Sequence, residues 1–373
     1  MLSSAAFSPQ STLSNPRPSS PITLLSASNS NSKRTGAMSR KNKKSDSAPS
    51  GGFAPKNNDE VAKEPQIIIQ DAGRIYSRPA LYDLAFGYRN YEEEVRFLLD
   101  AHDKYSTSSE DKSNPINIIE LAAGPARHTI SALRHFSSKV HSSTAVDISK
   151  DMIEYALETA DEELGDPGMG GMRDKFQYIE SDMRTIGQTD GSPLQPGAFD
   201  SAWILLGSMA HLTTNDDVIS CLSSTSNLLC QGGTLTIELP HPRETFSMVD
   251  CTRNGWEVPL EDENGEEYGE LKIIWGDDDD KFDPIRQIRD FTVAMDLTVS
   301  EDMKSDDSDL QSVKEIVPMR LFTYQEIEAM GRIAGFEVAG MYGALSDEVD
   351  VNSEDGAFRL VCVLRKIKSP VTL

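Results

Sequence analysis

Three carboxylates punctuate the middle of the chain, each at the end of a short apolar run. Glu120 follows Ile116, Ile118 and Ile119; Asp147 ends a run from Lys139 to Val146; Asp182 closes Phe176 to Ile179 through Glu180-Ser181. Carboxylates at consecutive strand ends can each accept hydrogen bonds from a different hydroxyl or amino group of one ligand held in the crevice there. Between the first run and the helix-like ARHTISALRHF lies a turn of small residues, Ala122, Ala123, Gly124 and Ala126. Such a turn lets backbone approach a ligand closely while the N–H groups of the helix start face it. Asp147 stands roughly 20 residues past Gly124, where dinucleotide-binding folds place the acid that accepts from ribose hydroxyls.

These residues need a parallel sheet to bring them together, and the surrounding pattern supplies one. Apolar strand-like runs alternate with helical periodicity: a helix near Ser149 to Glu163, strands at Phe176 to Ile179, Phe199 to Leu206 and Thr234 to Leu239, and a helix from Asp216 to Leu229 before the turn Gln231-Gly232-Gly233. Ahead of the sheet, Tyr76, Tyr82, Tyr88 and Tyr91 lead into a helix with the acidic first turn Glu92-Glu93-Glu94. The rhythm stops at Pro240-His241-Pro242. From 243 to 317, short alternating runs such as Leu271 to Trp275 and Arg289 to Thr298 read as a β-rich cap. The acidic runs within it read as solvated turns, because calcium-loop spacing is missing and no other metal motif is present. Afterwards Thr323-Tyr324-Gln325-Glu326 is a capping box, followed by a helix that stops at Gly335 and by two last strands, Phe336 to Tyr342 and Phe358 to Lys366.

Taken in order, ELAAGPARHT, AVDISKDMI, SDMR, FDSAWILLGSMAHL and LLCQGGTLTIELPHP resemble the motif series of class I S-adenosylmethionine-dependent methyltransferases. The tail MRLFTYQEIEAMGRIAGFEV resembles their late helix and strand, so the likeness spans about Tyr76 to Lys366 outside the cap. The resemblance implies an α/β, Rossmann-like, seven-stranded and mostly parallel sheet with helices on both faces and an antiparallel last strand. It implies S-adenosyl-L-methionine as cofactor. Glu120, Ala122, Gly124 and Ala126 would hold its methionine end, with Leu205 and Gly207 bordering that end. Asp147 would take the ribose, Ile148 would lie against the adenine, and Asp182 with the Met183 backbone would meet the ring. Alanines at 122 and 126 replace two glycines of the family pattern, which suits ordinary backbone angles at both.

Methyl transfer from a sulfonium is an in-line displacement that rests on positioning and water exclusion. For an acceptor that arrives protonated, His211 beyond the fourth strand is the candidate base, since imidazole titrates near neutrality. A structural histidine is the competing account. Tyr82 is the tyrosine expected to touch substrate, and Arg320 and Tyr342 are candidates for an anionic acceptor. His128 would orient the helix start and His241 would fix its loop. A nicotinamide-dependent oxidoreductase would share the turn and Asp147 but leaves Asp182 unexplained; a non-catalytic protein of the same fold is the other alternative.

The composition narrows the partners. The 373 residues carry a net charge of −24 with a pI near 4.6, the opposite of the basic footprint that binding DNA requires, and RNA is disfavoured on the same ground. The expected acceptor is therefore a small molecule. No apolar run reaches the roughly 20 residues that span a bilayer. Four cysteines without a C-x-x-C pair read as buried apolar residues in a reducing compartment. Residues 1–60 are Ser- and Pro-rich with no acid before Asp46, a composition that reads as disordered and resembles a plastid transit segment, with a mitochondrial or cytoplasmic location as alternatives. The methyltransferase-like domain would occupy 61–373. The oligomeric state is open.

Overall fold

The computed structural model describes residues 74–109, 113–188, 193–245, 254–261, 267–277, 279–299, 312–354 and 356–370. The expected transit segment at 1–60 lies outside them, as do Cys251 and the acidic run from Glu301 to Asp309.

A seven-stranded mixed sheet is built from β1 (Ile116–Leu121), β2 (Val140–Asp147), β3 (Phe176–Glu180), β4 (Phe199–Ile204), β5 (Leu229–Pro240) and, after the cap, β11 (Phe336–Tyr342) and β12 (Arg359–Lys366). Their spatial order is β11-β12-β5-β4-β1-β2-β3. Strands β1 to β5 pair in parallel, whereas β12 runs antiparallel to both β5 and β11. The order reverses between β1 and β4, and a crevice at such a switch point is where open α/β sheets take ligands.

Both faces of the sheet are covered, which explains why its central strands are apolar without a solvent face. On one face Ile119, Leu121, Ile204 and Ile237 pack with Val218 and Leu222 of α5 (Asn215–Leu228) and Ile327 and Met330 of α7 (Tyr324–Ile333). On the other, Ile118, Trp203 and Val361 pack with Leu98 of α2 (Tyr91–Tyr105), Ile130 and Leu133 of α3 (Arg127–His135) and Ala156 of α4 (Lys150–Leu164). The two-residue period of β1 puts Glu120 on the α3 side. Local capping agrees with this arrangement. The side chains of Asn90, Ser149, Thr214 and Thr323 accept from the first turns of α2, α4, α5 and α7, and Thr323 with Glu326 completes the capping box read from the sequence.

The Gln231-Gly232-Gly233 turn is absorbed into β5, whose pairing with β4 shifts register between Phe199 and Ser201. Gly232 has φ +80°, and a Cβ there would stand 2.6 Å from Thr107 Oγ1, so the segment just past α2 runs too close for any side chain.

The cap is a second, antiparallel sheet ordered β10-β9-β7-β6, with β8 on β9. Its strands are β6 (Asn254–Glu261), β7 (Glu267–Trp275), β8 (Phe282–Asp283), β9 (Ile288–Val299) and β10 (Val313–Arg320), reached from β5 through the short helix α6 (Pro242–Thr245). It thus runs three residues beyond the expected end at 317. Its inner face carries Leu271, Ile273, Phe291, Val293, Met295, Val317 and Met319, which bury Ile75, Leu81 and Phe86 from α1 (Pro79–Phe86) and the turn before it. Pro79 at the first position of α1 suits its missing N–H to a helix start.

Candidate active site

The turn after β1 departs from expectation in its backbone. Ala122, Gly124 and Ala126 all adopt left-handed angles, with φ of 52°, 53° and 55°. Ordinary angles at the two alanines are therefore ruled out. The turn is closed from both sides: Ala123 N donates to Val146 O at 2.9 Å, Gly124 N to Asp147 Oδ2 at 2.9 Å, and the Tyr178 hydroxyl to Gly124 O at 2.6 Å. These bonds hold the alanines in a conformation that costs an L-residue roughly 1–2 kcal/mol. Relief of strain should make Ala122→Gly more stable by about 0.5–1 kcal/mol, even after the added freedom of the unfolded chain. Ala126 is fully buried, and loss of its methyl costs about 0.8 kcal/mol, so Ala126→Gly should come out near zero. Urea denaturation of both variants checks the pair.

Above the turn lies a cleft lined among others by Tyr82, Phe86, Glu120, Gly124, Arg127 and Ser208. Buried charges make its floor. Thr129 Oγ1 donates to Glu120, and His128 stands between Glu120 (Nδ1 to Oε1, 3.5 Å) and Glu94 (Nε2 to Oε2, 2.7 Å). Burial alone would lower the His128 pKa, but hydrogen bonds and charge from Glu120 and Glu94 prevail and raise it to about 9. Glu94 also takes Arg89 at 3.0 Å, and Arg89 reaches the buried Glu238 at 3.2 Å. Glu238 in turn accepts from Leu206 N at 2.9 Å, which fixes the loop after β4. At the cleft rim Arg127 forms a fork on Asp83, whose other donor is the Tyr155 hydroxyl at 2.8 Å. No local pattern marks Asp83, Arg127, His128 and Ser208 as cleft residues; Arg127 meets Asp83 across 44 residues and His128 meets Glu94 across 34.

Of the expected donor-site residues, Glu120, Ala122, Gly124 and Leu205 line this cleft, and Asp147 is bonded to its turn. Asp147 ends β2 and accepts from Gly124 N and, through Oδ1, from Ser149 N at 2.9 Å; loss of solvation raises its pKa against the pull of those N–H groups. Ile148, immediately beyond, is 47% exposed, an apolar face open to a planar ring. Leu205 lines the cleft; Gly207 has φ +76° and donates to Glu238 O at 3.0 Å. Asp182 lies past β3, but its carboxylate is held by Arg184 at 2.6 to 3.0 Å, which lowers its pKa against the effect of burial. The Arg184 backbone N–H also reaches Oδ1 at 2.8 Å, so the two carboxylate oxygens already take four hydrogen-bond contacts from Arg184, about as many as their lone pairs provide. Met183 packs against the sheet core. The set fits an adenosine-type donor, with a close-approach turn, a strand-end acid and a bare apolar ledge in sequence along one crevice.

The acceptor-side expectations fare differently. Tyr82 lines the cleft and packs against Tyr76 and Phe86, with ring centroids 5.8 and 4.7 Å away. His211 does not titrate near neutrality: burial lowers its pKa to about 4, and its Nε2 is 2.8 Å from the Tyr76 hydroxyl. Burial keeps that phenol protonated, so one ring nitrogen is already engaged. Arg320 is buried against Glu326 (2.8 Å) and Asn215 (2.7 Å), a contact that locks β10 to the starts of α5 and α7 and removes it from substrate binding. Tyr342 bonds Tyr105 at 2.8 Å and Lys104 at 3.0 Å, at the far end of α2 from the cleft, and is likewise structural. His241 accepts from Arg243 N at 3.1 Å and fixes its loop.

No family model and no curated protein sequence matches the chain. Solved structures do. An S-adenosylmethionine-dependent methyltransferase from Clostridium acetobutylicum ATCC 824 matches with a TM-score of 0.53 at 15% identity, over 77% of this chain and 96% of that one. CalS10, an amino pentose methyltransferase from Micromonospora echinaspora solved with S-adenosylmethionine bound, gives 0.50 at 16%, over 77% and 95%. KedS8, a sugar N-methyltransferase from Streptoalloteichus sp. ATCC 53650, gives 0.52 at 14%, over 77% and 93%. The fold of this chain is thus that of the S-adenosylmethionine-dependent methyltransferases.

Proposed function

We propose that the protein is a methyltransferase that uses S-adenosyl-L-methionine to methylate a small-molecule acceptor. The observation that carries this reading is the crevice at the β1/β4 switch point, where the left-handed turn, Asp147 and the exposed Ile148 stand side by side. When bound, the donor supplies an electrophilic methyl group. The residues of this chain orient and enclose it: Asp147 would accept from ribose hydroxyls, Ile148 would lie under the adenine, and the turn would face the methionine end. Tyr82 and Phe86, packed on each other at the cleft with Tyr76 behind them, would form an aromatic cover that keeps water from the reacting end. Positioning of this kind accounts for most of the catalysis of an in-line displacement.

His211 then acts as a neutral orienting group and not as a base. In His211→Gln, the rate should fall less than about tenfold, and the pH–rate profile should stay flat near neutrality, as in the parent chain. An inflection near pH 6.5 that the substitution abolishes would restore the base assignment.

Calorimetric titration of the chain with S-adenosylmethionine and, separately, with NADH tests the cofactor. Micromolar affinity for the first alone is the expected result. Binding of neither would favour a non-catalytic protein on this fold. The fold by itself does not identify the acceptor. The acid-poor N-terminal sequence supports delivery to a plastid.

A further inference from the structure

The cap holds a buried cation whose charge the described residues leave uncompensated. Arg289, the second residue of β9, is 2% exposed, and its Nε and Nη1 make no hydrogen bond. Other buried arginines are paired, Arg89 with Glu94 and Glu238, and Arg320 with Glu326. Arg289 instead has two aromatic rings, Phe282 at 5.4 Å and Phe291 at 5.6 Å from its guanidinium carbon. Ring faces return only part of what desolvating a guanidinium costs, and they leave Nε and Nη1 unused.

Its position gives the charge a meaning. Along β9, Arg289 shares a face with Phe291, Val293 and Met295, and its neighbour across the ladder is Met319 of β10. Phe282, Phe291 and Met319 belong to the apolar layer that also contains Tyr82, Leu206, Ala210 and Tyr76, whose hydroxyl is 2.8 Å from His211 Nε2. The hairpin that presents Arg289 is fixed by Gln287, a left-handed residue at φ 58° whose amide donates to Leu321 O (3.1 Å) and Glu326 (3.0 Å). A rigidly held, dry guanidinium with unused donors is suited to charge-assisted hydrogen bonds to a carboxylate or a phosphate.

We propose that Arg289 binds an acidic group, a carboxylate or a phosphate, carried by the methyl acceptor. The word acceptor rests on the methyltransferase reading; the anion site itself does not. The role first expected of Arg320 would then fall to an arginine that has no carboxylate to hold it.

The test uses the full chain, with acetate and inorganic phosphate as probes, followed by ligand-observed NMR at constant ionic strength, with and without S-adenosylmethionine. The expected result is millimolar binding of one anion by the parent chain, weakened at least tenfold in both Arg289→Met and Arg289→Gln, with donor affinity unchanged. Which of the two anions binds tells carboxylate from phosphate. Absence of binding by the parent chain, or equal binding by a folded variant, overturns the proposal. If neither variant folds, the parent titration decides. An anion bound without any affinity for S-adenosylmethionine would keep the anion site and remove the methyl-transfer reading; donor binding without an anion would do the reverse.

Discussion

Replacing His128 with alanine is expected to destabilise the protein by about 3–5 kcal/mol, because Glu94 and Glu120 would lose the cation buried between them. Against a total stability of roughly 5–15 kcal/mol, that is a large share. The same residue should make stability depend on pH. Its pKa is near 9 when folded and about 6.5 in an unfolded chain. The folded state therefore holds the proton more tightly, and stability gained from it is complete below pH 6.5. It is lost as pH rises through 9, by about 3 kcal/mol in all. Urea denaturation of the parent chain at pH 6 and pH 9.5 should show this difference. His128→Gln should be less stable at pH 6 and nearly flat between the two values. An unchanged slope in the variant would mean that the imidazole is not the titrating group.

The second large effect is expected at Asp147. Asp147→Ala should weaken S-adenosylmethionine binding by 100-fold or more, the loss of two hydrogen bonds to a charged acceptor at about 1.5–3 kcal/mol each. Because the same carboxylate closes the turn through Gly124 N and Ser149 N, the variant should also lose about 1–2 kcal/mol of stability. Both quantities are measurable on one preparation, by calorimetry and by denaturation. Unchanged donor affinity would sink the ribose assignment, whatever the stability does.

The alanines show where sequence reading stops. Their identity marks the turn, since small residues are what a close backbone approach needs, but it does not set their backbone angles. Left-handed φ at Ala122 and Ala126 is imposed by bonds from β2 and from Tyr178, and no stretch of the turn itself encodes them. The same holds for His211. Its type suggested a titrating base, yet burial beside Tyr76, 135 residues away, decides that it stays neutral. Arg320 and Tyr342 looked available for an anion because their partners, Asn215 and Tyr105, lie more than 100 and 200 residues away.

The sequence by itself determined the alternation of strands and helices, the cap between β5 and α7, the acids at the strand ends and the capping box at Thr323. Each rests on period or on contacts within a few residues, which a linear reading captures. Tertiary structure alone decided which charged groups are spoken for and which are free: His128 between two glutamates, Arg320 on Glu326, and Arg289 with only ring faces around it. Charge and burial at a site are sums over neighbours that the chain brings together only when folded, and the chemistry of this crevice is set by those sums.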